Sequence, residues 1–259
     1  MQKITIKKIL KKKNKTPITC LTAYSKNIAQ IADKYCDIIL VGDSLAMVLY
    51  GMKTTRDINI DTMILHGKAV KKSTKKSLVV FDMPYKTYKN KYIAYKNAKR
   101  VMRLTKCDAI KLEGGKKIVN IIKYLTSKGI PVMGHIGLLP QTSNNFKVKG
   151  KNFSQQKQIY EDAIVLSESG VFAIIIECVV ESLAKKITKN ISIPTIGIGA
   201  SRYCDGQILV SDDMLGLSNF SPKFVKQYSN LSNVIEKCVR NYTKDVKMKR
   251  FPFNKNVYK

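Results

Sequence analysis

Residues 109–133 read AIKLEGGKKIVNIIKYLTSKGIPVM, and this stretch decides the fold. It begins with a short apolar run, Ala109–Leu112, and continues into a segment of helical period, Lys116–Lys128. Gly129 ends the helix just before a second apolar run, Pro131–Met133, and a proline is tolerated at the start of a strand. The stretch therefore predicts two parallel strands joined by a crossover helix.

The same pattern recurs along the whole chain. Eight short runs are rich in Val and Ile and apolar on both faces, as expected of buried parallel strands. The stretches between them include Asp61–Lys76, Tyr92–Lys106 and Ser154–Ser169, each long enough for a crossover helix. Eight such units predict a single (β/α)₈ TIM-barrel domain over 1–259, with an open doubly wound sheet as the alternative. The eight runs are Ile18–Leu21, Asp37–Val41, Leu78–Phe81, Ala109–Leu112, Pro131–Met133, Phe172–Ile176, Pro194–Ile198 and Gln207–Val210.

The two ends of the chain are expected to lie outside the repeating barrel units. Residues 1–16 are a candidate for a short basic helix at the barrel bottom, and residues 222–259 hold a last helix and a tail. Aromatic residues in the tail hint at packing on a neighbouring subunit. No run approaches the roughly 18 apolar residues of a membrane span, and the first residues lack the apolar core of a signal peptide. We therefore expect a cytoplasmic protein without a membrane partner.

The composition is strongly basic. Lys and Arg number 47 against 18 Asp and Glu, which gives a formal net charge of +29. A basic domain attracts phosphate, so nucleic-acid binding is one interpretation. Only six of the basic residues are Arg, the type that base-reading surfaces favour, and the lysines are spread along the chain without a nucleic-acid-binding motif. We therefore expect no nucleic-acid partner and attribute the charge to compositional drift, which the abundance of Asn, Ile and Tyr also indicates. A basic surface would still help to attract anionic substrates.

Carboxylates follow three consecutive strands of the predicted barrel. Asp43 comes after the second strand, Asp82 after the third and Glu113 after the fourth. Because the carboxyl ends of the strands carry the active site in such barrels, we expect these side chains to meet there. With no Cys or His pair at zinc spacing, an oxygen-rich set favours Mg²⁺. Lys111 shares a strand face with Glu113 and would pair with a substrate carboxylate.

Two more polar side chains end the fifth and sixth strands. Glu177 follows an entirely apolar run, and a glutamate is rarely buried without a partner, which favours a functional role. His135 fits either a structural donor or an accessory group of the site. The aspartates also have structural alternatives, since Asp43 could cap the following helix and Asp82 could shape the turn before Pro84.

Nine short blocks of sequence occur in a specific order along the chain. They are Val41–Leu45, Asp82–Pro84, Lys111–Gly115, Pro131–Leu138, Pro140–Gln141, Lys147–Gly150, Glu177–Val179, Pro194–Ala200 and Asp205–Gln207. Their order resembles that of the ketopantoate hydroxymethyltransferase family, from about Thr5 to Tyr258. Three positions depart from the family pattern, because Ala46 and Ser201 stand in place of glycines and Val180 in place of a proline.

The resemblance implies a fold, an activity and an assembly. The fold is a barrel of the phosphoenolpyruvate/pyruvate type, assembled as a homodecamer. The activity is transfer of a one-carbon unit from 5,10-methylenetetrahydrofolate to the 2-oxo acid 3-methyl-2-oxobutanoate. The product is 2-dehydropantoate, on the route to pantothenate and coenzyme A.

The resemblance also implies residue roles by motif match. Asp43 and Asp82 would hold Mg²⁺, and Glu113 would complete the metal site. Glu177 would be the base. The groups that would contact the oxo acid are Asp43, Ser44, Asp82 and Lys111.

The residues and the resemblance lead to the same mechanism. Mg²⁺ chelated by the carbonyl and carboxylate oxygens of the oxo acid would stabilise an enolate. Glu177 would remove the C3 proton, the enolate would attack the methylene carbon of the folate, and hydrolysis would release the product. There are three rival interpretations. They are a lyase or mutase of the same barrel superfamily that needs no folate, a basic nucleic-acid-binding protein, and a decayed enzyme that keeps the fold but has lost catalytic rate.

Overall fold

A computed structural model describes residues 2–143, 146–218 and 222–258, and eight parallel strands form a closed barrel in it. The strands follow one another in sequence order, and the last pairs with the first to close the ring. Every predicted run forms a strand whose ends lie within one residue of the predicted bounds, apart from the fifth, which extends to Gly137. The strands are β1 (Ile18–Thr22), β2 (Ile38–Val41), β3 (Leu78–Asp82), β4 (Ala109–Glu113), β5 (Val132–Gly137), β6 (Ala173–Glu177), β7 (Thr195–Ile198) and β8 (Gly206–Leu209).

Crossover helices join successive strands at the positions that the sequence predicted. Asn59, Asn90 and Asn152 begin three of the crossover helices, and each side-chain oxygen accepts a backbone N–H of the first turn. The predicted helix at 116–128 begins with a 3₁₀ turn before α6. The helices are α1 (Ile6–Lys11), α2 (Lys26–Tyr35), α3 (Leu45–Val48), α4 (Ile60–Ser73), α5 (Lys91–Thr105), α6 (Val119–Ser127), α7 (Phe153–Glu168), α8 (Glu181–Asn190), α9 (Ser211–Leu215) and α10 (Leu231–Lys247).

One connection departs from the strand–helix alternation. Residues 199–205, between β7 and β8, form no helix. Seven helical residues rise only about 10 Å, less than the roughly 13 Å of a four-residue strand, whereas seven extended residues span about 23 Å. The chain therefore does not return from the end of β7 to the start of β8 as a helix, and it crosses in a series of bends and turns.

The N-terminal segment closes the lower end of the barrel, as predicted. Ile4 and Ile9 are buried among the inward-facing side chains of the strands, and Thr5 caps α1 by accepting the backbone N–H of Lys8. The lower half of the barrel is thus an apolar core rather than a pore. The inward-facing apolar residues include Ile18, Ile38, Leu40, Leu78, Val80, Ala109, Met133, Ala173, Ile175, Ile196 and Ile208.

Asp205 joins three segments at the lower end of the barrel and supports a stability prediction. It accepts the N–H groups of Asn14 and Thr195 at 2.9 and 2.8 Å, and it lies 2.9 Å from the Lys13 ammonium. We expect Asp205→Ala to lower the free energy of unfolding by about 3–5 kcal/mol, because a buried ion pair loses one partner. Urea denaturation measures this loss. Asp61→Ala, which removes a solvent-exposed ion pair, should cost less than about 1 kcal/mol, and equal losses would contradict the prediction.

The chain divides into two units, Met1–Val210 and Ser211–Lys259. The first contains the barrel with α1 to α8. The second contains α9 and α10, and the side chains of α10 are exposed or partly exposed along its whole length. All six cysteines are free thiols. Across the described ranges, no helix has the length and apolar character needed to cross a membrane.

Candidate active site

The charged side chains of the site continue the inward faces of the barrel strands. In the lower half of the barrel these faces are apolar, and in β3 to β6 an inward position two residues further along the strand is charged or ionisable. A polar layer therefore lies at the carboxyl ends of the strands, where the sequence predicted it. The successive inward positions are Val80 and Asp82, Ala109 and Lys111, Met133 and His135, and Ile175 and Glu177.

Lys111 lies at the centre of this polar layer. Its Nζ donates to the two carboxylate oxygens of Asp82 at 2.8 and 2.7 Å and lies 3.5 Å from Glu113 Oε1. Burial lowers the pKa of Lys111, but the carboxylates of Asp82, Glu113 and Asp43 raise it by more, so the net shift is upward. Burial raises the pKa of Glu113, and the positive charges of Lys111 and His135 outweigh it and lower that pKa to about 2. Lys111 is therefore a cation and Glu113 an anion at neutral pH.

His135 lies between two carboxylates. Its Nδ1 is 3.3 Å from Glu113 Oε1 and its Nε2 is 3.2 Å from Glu177 Oε2, although neither contact has the alignment of a hydrogen bond. Burial and Lys111 lower the pKa of His135, but Glu113 and Glu177 raise it to about 9. The imidazole is therefore positively charged at neutral pH, and this charge is lost only as the pH rises through about 9.

Glu177 is the exposed end of this row of charges. Its side chain is 16% exposed, against 1% for His135 and Glu113. Within the described residues no protein donor contacts Glu177 Oε1, so this oxygen remains available to a molecule in the barrel mouth. The geometry gives Glu177 the access to a substrate that the buried groups lack.

Gln141 connects the second, third and fourth strand ends. Its Nε2 donates to Asp43 Oδ2 at 2.8 Å and to the carbonyl of Met83 at 3.0 Å, and its backbone N–H donates to Glu113 Oε2 at 3.1 Å. The phenol of Tyr88 donates to Gln141 Oε1 at 2.5 Å. In the sequence, Gln141 stands out only as part of the block Pro140–Gln141 and Tyr88 does not stand out at all, because neither residue lies on a strand. Apart from this block, no local signal in the sequence identifies these residues, because polar residues are ordinary on loops.

The chain reaches Gln141 through a sharp turn after β5. Gly137 has a φ of +94°, and a Cβ at this position would lie 2.3 Å from the carbonyl oxygen of Glu177. The backbone N–H of Leu138 donates to that same carbonyl at 2.8 Å. A glycine is therefore required for the chain to pass beside β6 and return over the barrel mouth.

Asp43 and Asp82 are the pair best placed to hold a cation. The Asp43 backbone N–H lies 3.4 Å from Asp82 Oδ2, and both carboxylates are buried. Burial and the charge of Asp82 raise the pKa of Asp43 well above its usual value. Burial also raises the pKa of Asp82, although Lys111 opposes the shift. The local negative charge thus exceeds what Lys111 balances, and hard oxygen donors with surplus negative charge suit Mg²⁺.

Glu113 is placed to contact a metal ion through a water molecule rather than directly. One of its oxygens accepts the N–H of Gln141, and the other faces Lys111 and His135. In the part of the chain that the structure describes, no group of three His, Cys, Asp or Glu side chains lies close enough together to ligate one ion directly. Two aspartates as direct ligands with Glu113 acting through water match this arrangement, because Mg²⁺ usually retains several waters.

Ser44 lies beside the aspartates and contacts an aromatic side chain. Its Oγ is 2.8 Å from the hydroxyl of Tyr24, and His66 Nδ1 lies 2.6 Å from the carbonyl oxygen of Tyr24. The alternative that Asp43 only caps the following helix does not hold. Ser44 occupies the N-cap position of α3, and no side chain caps this helix. Asp82 does more than shape the turn before Pro84, because its carboxylate accepts a hydrogen bond from Lys111.

The segment after Glu177 is tied to the loop that follows β5. The Lys149 backbone N–H donates to the Cys178 carbonyl at 2.7 Å, and the Val180 N–H donates to the Lys149 carbonyl at 3.1 Å. A proline at position 180 would lack the second donor. The departure from the family pattern at Val180 therefore adds a hydrogen bond between these two segments.

Comparison with known proteins gives full-length relatives. A protein from Pelagibacter ubique (strain HTCC1062) named 3-methyl-2-oxobutanoate hydroxymethyltransferase is 54% identical, over 97% of this chain and 99% of its own length. A protein of the same name from Bartonella tribocorum (strain CIP 105476 / IBS 506) is 49% identical, over 100% and 97%. Another from Anaplasma marginale (strain Florida) is 48% identical, over 98% and 93%.

Solved structures of similar fold are much more distant in sequence. A phosphonopyruvate hydrolase in complex with oxalate and Mg²⁺ has a TM-score of 0.63 at 12% identity, covering 99% of this chain and 93% of that one. A 2,3-dimethylmalate lyase, a member of the PEP mutase/isocitrate lyase superfamily, has a TM-score of 0.64 at 11% identity, covering 97% and 87%. These similarities confirm the predicted (β/α)₈ barrel fold.

The family model for ketopantoate hydroxymethyltransferase matches residues 3–254 of this chain. This match covers the barrel and most of the second unit, so it is not confined to the motifs of the site. Together with relatives that share about half of their residues over nearly their whole length, it shows that the chain belongs to the ketopantoate hydroxymethyltransferase family, a family of transferases.

Proposed function

We propose that this chain transfers a hydroxymethyl group from 5,10-methylenetetrahydrofolate to 3-methyl-2-oxobutanoate and so forms 2-dehydropantoate. The observation that carries the proposal is the row of charges from Asp82 through Lys111, Glu113 and His135 to Glu177. Its inner end is buried and suits a cation and an anionic substrate, and its outer end is a carboxylate open to the barrel mouth. Removing a proton from the carbon beside a carbonyl requires one set of groups that polarises the carbonyl and a separate base that reaches the proton.

The side chains of the site have distinct tasks in this reaction. Lys111 pairs with the carboxylate of the oxo acid, and Ser44 and the aspartates complete its binding. Glu177 takes the proton from C3, and the electron pair of the C–H bond forms the enolate. The enolate carbon then bonds to the methylene carbon of the folate as one of the two C–N bonds of that carbon breaks, and the nitrogen released takes up the proton that left C3. Hydrolysis then breaks the second C–N bond. One water completes the balance, because its hydroxyl stays on the transferred carbon and its proton goes to the folate nitrogen that leaves.

The residues best suited to hold Mg²⁺ are Asp43 and Asp82, with Glu113 acting through water. When bound there, the ion would supply Lewis acidity that favours the enolate over the oxo acid. The charge of His135 lies beside Glu177 Oε2 and attracts it, which leaves Oε1 for the C3 proton. Burial of the other charged groups keeps water away from them and strengthens their interactions.

Proton exchange at C3 of 3-methyl-2-oxobutanoate tests the proposal directly. The oxo acid is incubated with the protein in D₂O and followed by NMR, with and without Mg²⁺ and then with methylenetetrahydrofolate. We expect Mg²⁺-dependent exchange, and 2-dehydropantoate only when the folate is present. Exchange without any folate-dependent product would favour a lyase or mutase of the same superfamily, and neither exchange nor product from folded, metal-loaded protein would reject the proposed activity.

We also propose that the chain forms a homo-oligomer. The support within residues 211–259 is α10, which exposes a row of apolar side chains at helical spacing. The homodecamer implied by the family resemblance would have ten times the 29.2 kDa mass of one chain, which sedimentation velocity resolves from smaller assemblies. The exposed apolar residues of α10 are Val234, Ile235, Val239, Tyr242 and Val246.

A further inference from the structure

Gln141 contacts two of the proposed metal-site carboxylates at once, although it comes from the loop after β5 and not from a strand. We propose that Gln141 is a positioning residue that holds Asp43 and Glu113 at the spacing a divalent cation requires, with Tyr88 fixing the orientation of its amide. The proposal rests on the proposed function only in taking these carboxylates as part of a cation site. Gln141 is fully buried, so its contacts are not shared with bulk water.

The neighbours of Gln141 allow a single orientation of its amide. The Nε2 end faces two acceptors, Asp43 Oδ2 and the Met83 carbonyl, and an amide nitrogen has two hydrogens to donate. The Oε1 end faces the Tyr88 hydroxyl, which accepts the Glu113 backbone N–H at 3.4 Å and is therefore free to donate its own hydrogen to Gln141. A reversed amide would direct hydrogens at a donor and an oxygen at a carboxylate, leaving buried groups unsatisfied.

The neutrality of the amide matters as much as its geometry. Lys111 already holds Asp82 with a full positive charge, and a second ammonium at position 141 would compete with a cation for Asp43. An amide donates to Asp43 Oδ2 without cancelling its charge, so Oδ1 keeps its attraction for a cation. Groups that hydrogen-bond to metal ligands in this way orient them, and their loss typically weakens metal binding about 10–100-fold.

The side chain and the backbone of Gln141 act on different carboxylates. The side chain holds Asp43, whereas the backbone N–H holds Glu113. A side-chain substitution should therefore release Asp43 alone and leave the loop attached to Glu113. This separation makes the proposal testable without removing the loop.

Metal affinity in the absence of substrate is the deciding measurement. Free Mn²⁺ is titrated against the full-length protein by EPR for wild type and for Gln141→Met, which keeps the length of the side chain but removes both donors. We expect the Mn²⁺ dissociation constant to rise about 10–100-fold. Gln207→Leu is the matched control, because it removes one hydrogen bond, to the Ser201 carbonyl, outside the site, and we expect no change in its dissociation constant.

Tyr88→Phe is the second variant, because it keeps the aromatic ring and removes only the hydroxyl that orients the amide. We expect weaker Mn²⁺ binding than in wild type, with a smaller change than in Gln141→Met. Unchanged affinity in folded Gln141→Met, an equal loss in Gln207→Leu, or no Mn²⁺ binding by wild type would each overturn the proposal. Wild type that binds Mn²⁺ with the expected differences between variants, yet forms no folate-dependent product, would reject the proposed function alone.

Discussion

Glu177→Gln should lower the rate of C3 proton exchange by about 10²–10⁴-fold while the protein still binds Mg²⁺ and the oxo acid. Glutamine has nearly the shape of glutamate but cannot accept a proton at neutral pH. Glu177 is partly exposed, and its neighbour His135 is fixed from the other side by Glu113, so the substitution should leave the fold intact. NMR exchange in D₂O gives the rate, and isothermal titration gives the two affinities.

A matched control lies four residues along the chain. Glu181 is the first residue of α8 and outside the row of charges, so Glu181→Gln should exchange at the wild-type rate. Wild-type exchange by Glu177→Gln would show that another group is the base. A loss of exchange accompanied by an equal loss of Mg²⁺ affinity would indicate damage to the site rather than loss of the base.

His135 is the neighbouring group that could be mistaken for the base. Its position beside Glu177 and its residue type both suit proton transfer. However, two carboxylates raise the pKa of His135 to about 9, so its ring nitrogens are already protonated at neutral pH. A proton acceptor must be unprotonated before the reaction, and Glu177 is therefore the better candidate.

The fold could be predicted from the sequence because buried parallel strands leave a strong local pattern. Runs such as Leu78–Phe81 are apolar on both faces and lie between helical segments, and each became a strand within a residue of its predicted bounds, apart from the fifth, which extends to Gly137. The missing helix between β7 and β8 could not be predicted in the same way. Residues 199–205 have no distinctive composition, and only the distance between the strand ends excludes a helix there.

The site could be predicted in part, for a related reason. Lys111, Glu113 and Glu177 interrupt apolar strands, so their unusual positions are visible in the sequence and their meeting point follows from the barrel. Gln141 and Tyr88 lie on loops, where polar residues are ordinary and local sequence does not say which will be buried. Their roles depend on how the loop after Gly137 returns over the barrel mouth, and that is a tertiary property.

Lys111→Met should produce the largest loss of fold stability among substitutions at the site. It leaves Asp82 and Glu113 buried without the ammonium between them, and removing one partner of a buried ion pair costs about 3–5 kcal/mol. Urea denaturation of the metal-free protein at pH 7 measures the loss. Lys71→Met is the control, because Asp108 would keep its contact with Lys3 and the cost should be clearly smaller.

The pH dependence of this loss separates charge from packing. In wild type the raised pKa of Lys111 keeps its stabilising charge at all pH values below its usual pKa. Without that charge, burial and mutual repulsion should raise the pKa of Asp82 further and turn the lowered pKa of Glu113 into a raised one. Groups with raised pKa values stabilise the fold at low pH and lose that contribution as the pH rises through their folded pKa. The stability gap between Lys111→Met and wild type should therefore widen from pH 5 to pH 8, whereas a constant gap would mean that Lys111 acts mainly by filling space.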